Sequence, residues 1–238
     1  MITLEFERLG LEKGSRVLDI GCGTGRHSAA AFRQPGVVTV GADVNWKDIC
    51  ETRSRLQLHD QLGEHGGGKW ALAAADILAL PFKDSSFQLV ICSEVLEHIK
   101  DHRRALAEAA RVLQPGHLLA VSVPSFWPEQ LCWKLSKHYA RSSNGHVRIY
   151  RKKKLMNLLR CAGVTPFASH RAHGLHAPFW WLKCLVGPAR NNDHPLVALY
   201  HRLLVWDMMQ KPKATRMVEK LLNPLMGKSL VVYGRKQV

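Results

Sequence analysis

The sequence predicts an α/β protein built on a doubly wound, mostly parallel seven-stranded sheet with helical insertions. Three observations carry this. Short β-branched and apolar runs alternate with helix-prone runs through the first half of the chain. Residues Arg16 to Phe32 read as strand, glycine turn and helix. The polar residues with chemical potential fall just after strands, where open α/β sheets take their ligands.

Taken in order, residues 1–14 form a short amphipathic lead-in with Leu4, Phe6 and Leu9 apolar. Val17, Leu18 and Ile20 make the first strand, with Asp19 inside it. Gly21, Gly23 and Gly25 then recur at every second position, which suits neither helix nor strand but lets a backbone approach a ligand without Cβ interference. His27 to Phe32 is helix-prone. Val37 to Asp43 is the second strand and stops on a carboxylate. Asp43 at that tip can accept both hydroxyls of a ribose, or cap the helix Trp46 to Leu62, or do both. The glycine run 66–68 breaks the chain before a third strand, Trp70 to Ala75, and the segment Asp76-Ile-Leu-Ala-Leu-Pro-Phe82.

Phe87 to Cys92 is a near-continuous apolar run, as a central parallel strand requires. Ser93-Glu-Val-Leu-Glu-His-Ile99 follows its carboxyl end. Asp101 is placed to cap a helix with Leu106, Ala109, Ala110 and Leu113 on one face, ended by Gln114-Pro-Gly116. Leu118 to Val123 is the fifth strand, Val164 to Ser169 the sixth and Ser229 to Gly234 the last. The whole reads as one domain, 1–238, with helical insertions over 124–145 and 175–227.

Charge is unevenly placed. Residues 1–100 balance to −2 and residues 101–238 to +17, so the second half supplies the whole positive field. Such a field suits anionic acceptors, acidic lipid surfaces or nucleic acid. Six dispersed cysteines with no CxxC pair argue against a zinc cage or disulfide framework and for a reducing cytoplasm. No signal-peptide pattern opens the chain, and no apolar run has membrane-spanning length; Pro195 to Gln210 is interrupted by His201, Arg202 and Asp207.

The run Asp19-Ile-Gly-Cys-Gly-Thr-Gly25 resembles motif I of the class I S-adenosylmethionine (SAM)-dependent methyltransferases. A dinucleotide fingerprint wants a further glycine where Arg26 stands, which speaks against a dehydrogenase. The resemblance runs from about residue 14 to 123 and on through Gly145-His-Val-Arg-Ile-Tyr150. It is nearest the small-molecule branch that includes quinone-biosynthesis enzymes, which carry a similar E-V-L-E-H run. It implies SAM as cofactor, held by Asp19, Gly21, Cys22, Gly23, Gly25, Asp43, Val44, Asp76, Ile77, Ser93 and Glu94. Within that set Asp76 and the Ile77 backbone would read the adenine. The family usually closes with a tight hairpin of two strands; here some fifty to sixty residues separate them, roughly four times a long ordinary loop.

Methyl transfer needs an aligned nucleophile in a dry pocket and, for a hydroxyl acceptor, a base. His98, then His146, are the candidates by position. The site is read as metal-free; a divalent cation, if used, would draw on Glu94, Glu97 and His98. His170, His173 and His176 sit three apart but are read as a solvated loop, and Gly227-Lys-Ser229 lacks the first glycine of a P-loop. The insertions, rich in Phe179, Trp180, Trp181, Trp206, Met208, Met209, Met217 and Leu221, are a lid, a membrane-facing surface or ordinary packing. The expected function is O- or C-methylation of a small, bulky apolar or lipid-like acceptor, with an anionic group on it as one option. The expected location is the cytoplasm or a membrane periphery. An RNA methyltransferase and a non-catalytic SAM-binding partner are the alternatives; the chain shows no appended RNA-binding module and no (D/N)-P-P-(Y/F) clamp after the fourth strand.

Overall fold

The computed structural model describes residues 2–142, 146–187 and 194–238. Residues 143–145 of the first insertion, with Gly145 of the G-H-V-R-I-Y run, and 188–193 of the second lie outside the described residues. The strands are β1 Arg16–Ile20, β2 Val38–Asp43, β3 Lys69–Ala74, β4 Phe87–Ser93, β5 Leu113–Pro124, β6 Val164–Ala172 and β7 Ser229–Lys236. They form one sheet in the order β3-β2-β1-β4-β5-β7-β6. β7 runs antiparallel to β5 and β6, and every other pairing is parallel. β6 and β7 therefore pair as the expected terminal hairpin despite the long insertion between them.

Period-two alternation fills both faces of the sheet. Leu18, Ile20, Val90 and Cys92 point into one cluster, while Val17, Leu89 and Ile91 point into the other. The first face is covered by α3 (His102–Val112) and α6 (Lys152–Cys161), through Leu106, Ala109, Leu155 and Leu159. Leu4 and Leu9 of the lead-in close part of the second face, and the Glu5 N–H donates to the Tyr233 hydroxyl at 2.9 Å. α1 (Arg26–Phe32) and α2 (Trp46–Gln61) pack through Ala29, Phe32 and Leu56. Asp101 caps α3, accepting from the Arg104 N–H at 3.1 Å. The Gln114-Pro-Gly116 break is a register shift inside β5, which starts earlier than the sequence suggests because Leu113 already pairs with Phe87.

Strand order reverses between β1 and its neighbours β2 and β4, so the crevice at their carboxyl ends is the natural ligand position. The insertions stand beside it. The first gives α4 (Phe126–Leu135) and α5 (Lys137–Ser142). The second gives a 3₁₀ turn, Gly174–His176, then α7 (Ala177–Val186), α8 (Pro195–Gln210) and α9 (Lys213–Met226). Phe179, Val197 and Leu204 make a small core of their own inside the second insertion. The packing reading thus holds for Phe179 and fails for Trp206, Met208, Met209, Met217 and Leu221, which are exposed. None of the described helices is long and apolar enough to cross a membrane.

Candidate active site

The glycine turn sits where β1 hands the chain to α1. All three glycines have positive φ, but their surroundings differ. A Cβ on Gly21 would lie 2.4 Å from Val95 Cγ2, and one on Gly25 would lie 2.8 Å from Thr52 Cγ2. A Cβ on Gly23 would meet nothing within 4 Å. Gly21 and Gly25 therefore serve close packing, while Gly23 keeps an open backbone face of the kind a ligand occupies. The turn is braced from beneath. Cys22 N–H donates to Ala42 O at 3.0 Å, and the Thr52 hydroxyl donates to Gly23 O at 2.6 Å.

Asp43, at the tip of β2, accepts from the Gly23 N–H through Oδ2 and from the Asn45 N–H through Oδ1, both at 2.9 Å. The helix cap is Asn45, whose side chain accepts from Lys47 N–H at 3.0 Å, so the capping role suggested for Asp43 belongs two residues later. A carboxylate has about four lone-pair sites, and the two left over are available to a ribose diol. Val44 beside it is exposed. Asp76 is exposed beyond β3 and holds its own turn by accepting from Leu78 N–H at 2.9 Å; Ile77 packs inward. The 80–84 stretch is pinned by α3. Glu108 accepts from Leu80 N–H, while Arg111 donates to the Leu80 and Phe82 carbonyls and pairs with Asp84.

Asp19 and Cys22 take another place. Asp19 is buried and accepts a 2.6 Å bond from the Ser28 hydroxyl, tying β1 to α1 beneath the turn. Burial pushes its carboxyl up to about 6. Cys22 is buried against Thr52, and desolvation pushes its thiol up to about 12. Both side chains shape the turn from within rather than from its open side. Ser93 shares a 2.8 Å bond with Ser122. Glu94 adopts positive φ at the end of β4 and accepts from Ser122 Oγ at 3.0 Å; burial raises its carboxyl.

His98 and His146 meet edge to face, with ring centroids 4.8 Å apart. They are 48 residues apart in sequence, and Arg148 explains the meeting. Its guanidinium donates to the Ile99 and Lys100 carbonyls, and Val147 N–H donates to Glu97 O at 2.8 Å, so the 146–150 segment is clamped onto the loop after β4. His146 Nδ1 lies 3.0 Å from the buried Glu129 of α4, an acidic orienter that the sequence does not reveal. Glu97 is wholly buried, and both its carboxylate oxygens lack hydrogen-bond partners. Burial, then the neighbouring Glu94, drives its carboxyl well above the ordinary range. The donor set suggested for a cation needs correction: the atoms that converge belong to Glu97, His98 and His146, within 4.8 Å of one another, while Glu94 turns away to Ser122.

Between the glycine turn and the second insertion lies a cavity of about 410 Å³. Arg26, Glu94 and Ser229 form its sheet-side wall, and Phe179, Trp180, Leu204 and Met208 form its apolar roof. Lys228, largely desolvated, stands 3.8 Å over the Trp180 ring, and burial lowers its ammonium pKa. His173 and His176 also line the cavity, so the solvated loop expected there is instead built into the fold. Burial depresses both imidazoles, to about 3 and about 4. His170 lies in β6, stacked on Tyr233, with Nε2 3.2 Å from Thr3 O.

A family model described as "Methyltransferase domain" matches residues 2–167. The demethylmenaquinone methyltransferase of Parafrankia is 38% identical over 128 residues, half of each chain. The 27-O-demethylrifamycin SV methyltransferase of Amycolatopsis mediterranei is 28% identical over 173 residues, 72% of this chain and 62% of that one. The methyltransferase GfsG of Streptomyces halstedii is matched over 40% of its length, at 33% identity; the chain thus spans about half or less of several curated relatives. Among solved structures, a SAM-dependent methyltransferase of Methanosarcina mazei superposes with a TM-score of 0.62 at 17% identity, covering 98% of this chain and 97% of that one. The [4+2]-cyclase SpnF superposes equally well, at 0.62 and 20% identity over 98% and 78%, which shows the fold alone. On the family match, which covers most of the sheet and the whole glycine turn, the chain belongs to the methyltransferase-domain family of SAM-dependent enzymes.

Proposed function

We propose that this chain transfers the methyl group of SAM to an oxygen or carbon nucleophile of a bulky apolar acceptor that enters the 410 Å³ cavity. That cavity is the observation that carries the reading. It joins the cofactor side of the sheet, at Arg26 and Glu94, to an aromatic roof supplied only by the insertion. The fit to SAM rests on the open backbone at Gly23 and on the carboxylates of Asp43 and Asp76 beyond adjacent strands. SAM supplies a methyl group on a sulfonium, which leaves by in-line displacement. The chain's own part is alignment, exclusion of water and proton removal. His98 and His146, the latter held by Glu129, are the imidazole pair we assign to proton removal from a hydroxyl acceptor; they stand at the loop after β4 and outside the cavity's own lining, so the acceptor hydroxyl has to reach past Glu94 toward them. Lys228 and Arg26 favour an acceptor carrying an anionic group.

The exposed face of α8 and α9 supports delivery at an anionic lipid surface. Leu196, Leu199, Leu203 and Trp206 form one stripe, and Met217, Leu221 and Leu225 another. The exposed charges between them, Arg202, Lys211, Lys213 and Lys220, are all cationic. Among curated relatives, the ubiquinone/menaquinone biosynthesis C-methyltransferase of Psychromonas ingrahamii is 38% identical over 136 residues, 55% of this chain and 49% of that one. A quinone-like lipid is therefore the first acceptor to offer.

Incubation with methyl-labelled SAM and a fractionated extract tests the assignment. Label in the lipid-soluble fraction is the expected result; label confined to RNA would overturn it. A second reading has its own observation, the unpartnered oxygens of Glu97, which a divalent cation shared with His98 and His146 would satisfy. Loss of turnover in chelator, restored by magnesium or zinc, is the outcome that reading requires.

A further inference from the structure

A second group of donors, distinct from the Glu97–His98–His146 group, lies at the edge of the 410 Å³ cavity. His173, which precedes the 3₁₀ turn, and His176, its last residue, meet Glu219 of α9 with ligand-capable atoms within 4.8 Å of one another. The three line a cavity of about 520 Å³ between the lead-in, the end of β6 and the insertion. Two features show that the fold brings them together at a cost. His173 holds a left-handed backbone, φ 67°, which is uncommon for a residue with a side chain. Gly174 lets the turn press on α9, since a Cβ there would lie 2.9 Å from Leu222 Cβ, and its N–H donates to Asn223 Oδ1 at 2.8 Å.

The donors are chemically incomplete as they stand. His176 is buried, and its Nδ1 has no hydrogen-bond partner; the neighbouring Asp207 is also buried and has an unpartnered Oδ1. His173 Nε2 lies 3.3 Å from Thr3 Oγ1, a long bond that holds the ring without saturating the imidazole. Glu219 gives Oε2 to Arg216 at 2.9 Å, and Arg216 also pairs with Asp207. Glu5, Asp207 and Glu219 face Arg216 and Lys211 in this cavity, while Arg26 and Lys228 line the adjoining one. The 520 Å³ cavity thus carries three carboxylates against two cations, close to balanced inside a strongly basic half of the chain.

We propose that His173, His176 and Glu219 form a binding site for a divalent transition metal of the zinc class. Two imidazoles and a carboxylate match the preference of such ions, and three protein donors leave a fourth position for water or an acceptor oxygen. Tetrahedral zinc holds its ligands about 3.4 Å apart, so donors within 4.8 Å of one another have little more than an ångström to close. Because His173 and His176 also wall the 410 Å³ cavity, the bound ion staples α9 to the turn at the rim of that cavity.

The inference does not rest on methyl transfer, and its test does not read activity. Full-length protein, stripped with chelator, is titrated with cobalt(II) and, separately, with zinc(II) followed by thermal unfolding. We expect a four-coordinate cobalt absorption band at one equivalent and a rise in Tm of several degrees with excess zinc. Glu219→Gln and His176→Gln, each checked for fold by circular dichroism, weaken cobalt binding at least tenfold. Should one variant unfold, the other carries the comparison. His98→Asn keeps the band, which separates this site from the Glu97–His98–His146 group. Well-folded wild-type protein with neither band nor Tm shift overturns the proposal, as does a band lost in His98→Asn and kept in Glu219→Gln.

Discussion

Gly21, Gly23 and Gly25 share one turn yet carry different constraints, and the difference is measurable. Gly23→Ala places a methyl in open space on a φ of 52°, so it strains the backbone by about 1 kcal/mol and obstructs the ligand face. Gly21→Ala adds a clash with Val95 and destabilises the fold further. We expect Gly23→Ala to lose SAM affinity with the smaller drop in urea midpoint, and Gly21→Ala the reverse balance. Asp19 gives a second residue-scale test. Its folded pKa, about 6, lies above the ordinary 3.8, so its stabilising protonated form is complete below pH 3.8 and is lost as pH rises through 6. Relative to wild type, Asp19→Asn should gain about 3 kcal/mol between pH 4 and pH 7.5 by urea unfolding. An unchanged difference across that range would refute the buried-acid assignment. What the sequence made legible at this scale was local placement: the glycine turn after β1, and the carboxylates Asp43 and Asp76 at the ends of β2 and β3. The meetings of Glu129 with His146 and of Glu219 with His173 and His176 were hidden, because they join different elements and no local spacing encodes them.

At the scale of elements, the seven strands and the helices α1, α2 and α3 could be read, since period-two alternation, the Asp101 cap and the glycine breaks are local signals. What could not be read was which apolar residues of the insertion face inward. Pro195 to Gln210 is apolar almost all round, so periodicity alone does not choose a face. The structure divides it: Val197 and Leu204 join Phe179, while Leu199 and Met209 face solvent. The exposed stripe has a consequence. Leu199→Glu with Leu221→Glu should change stability by no more than about 0.5 kcal/mol, since neither side chain is buried. The same pair should abolish sedimentation with phosphatidylglycerol vesicles while neutral vesicles bind neither protein. Equal sedimentation of wild type and variant would remove the lipid-surface reading and leave the insertion as a roof only.

For the whole molecule, three buried histidines set the acid limit. His27, His173 and His176 have folded pKa values of about 3, 3 and 4, below the ordinary 6.5. Each stays neutral when folded and takes a proton when unfolded, so the stability they hold is present above pH 6.5 and is lost as pH falls toward 4. Asp19, Glu94 and Glu97, whose carboxyls are raised, run the opposite way over that window, so the histidine contribution is read by difference: His27→Gln should remove up to about 1.4 kcal/mol per pH unit of acid-side loss relative to wild type. The same architecture places the open Gly23 backbone and the carboxylates of Asp43 and Asp76 at the carboxyl ends of β1, β2 and β3, the arrangement the proposed SAM site requires. Calorimetric titration with S-adenosylhomocysteine tests that arrangement most directly. Wild-type protein should bind one equivalent, and Asp43→Ala should bind at least tenfold more weakly, the loss of about 1.5–3 kcal/mol that a charged hydrogen-bond acceptor contributes. No heat with well-folded wild-type protein, or equal affinity in the variant, would contradict it.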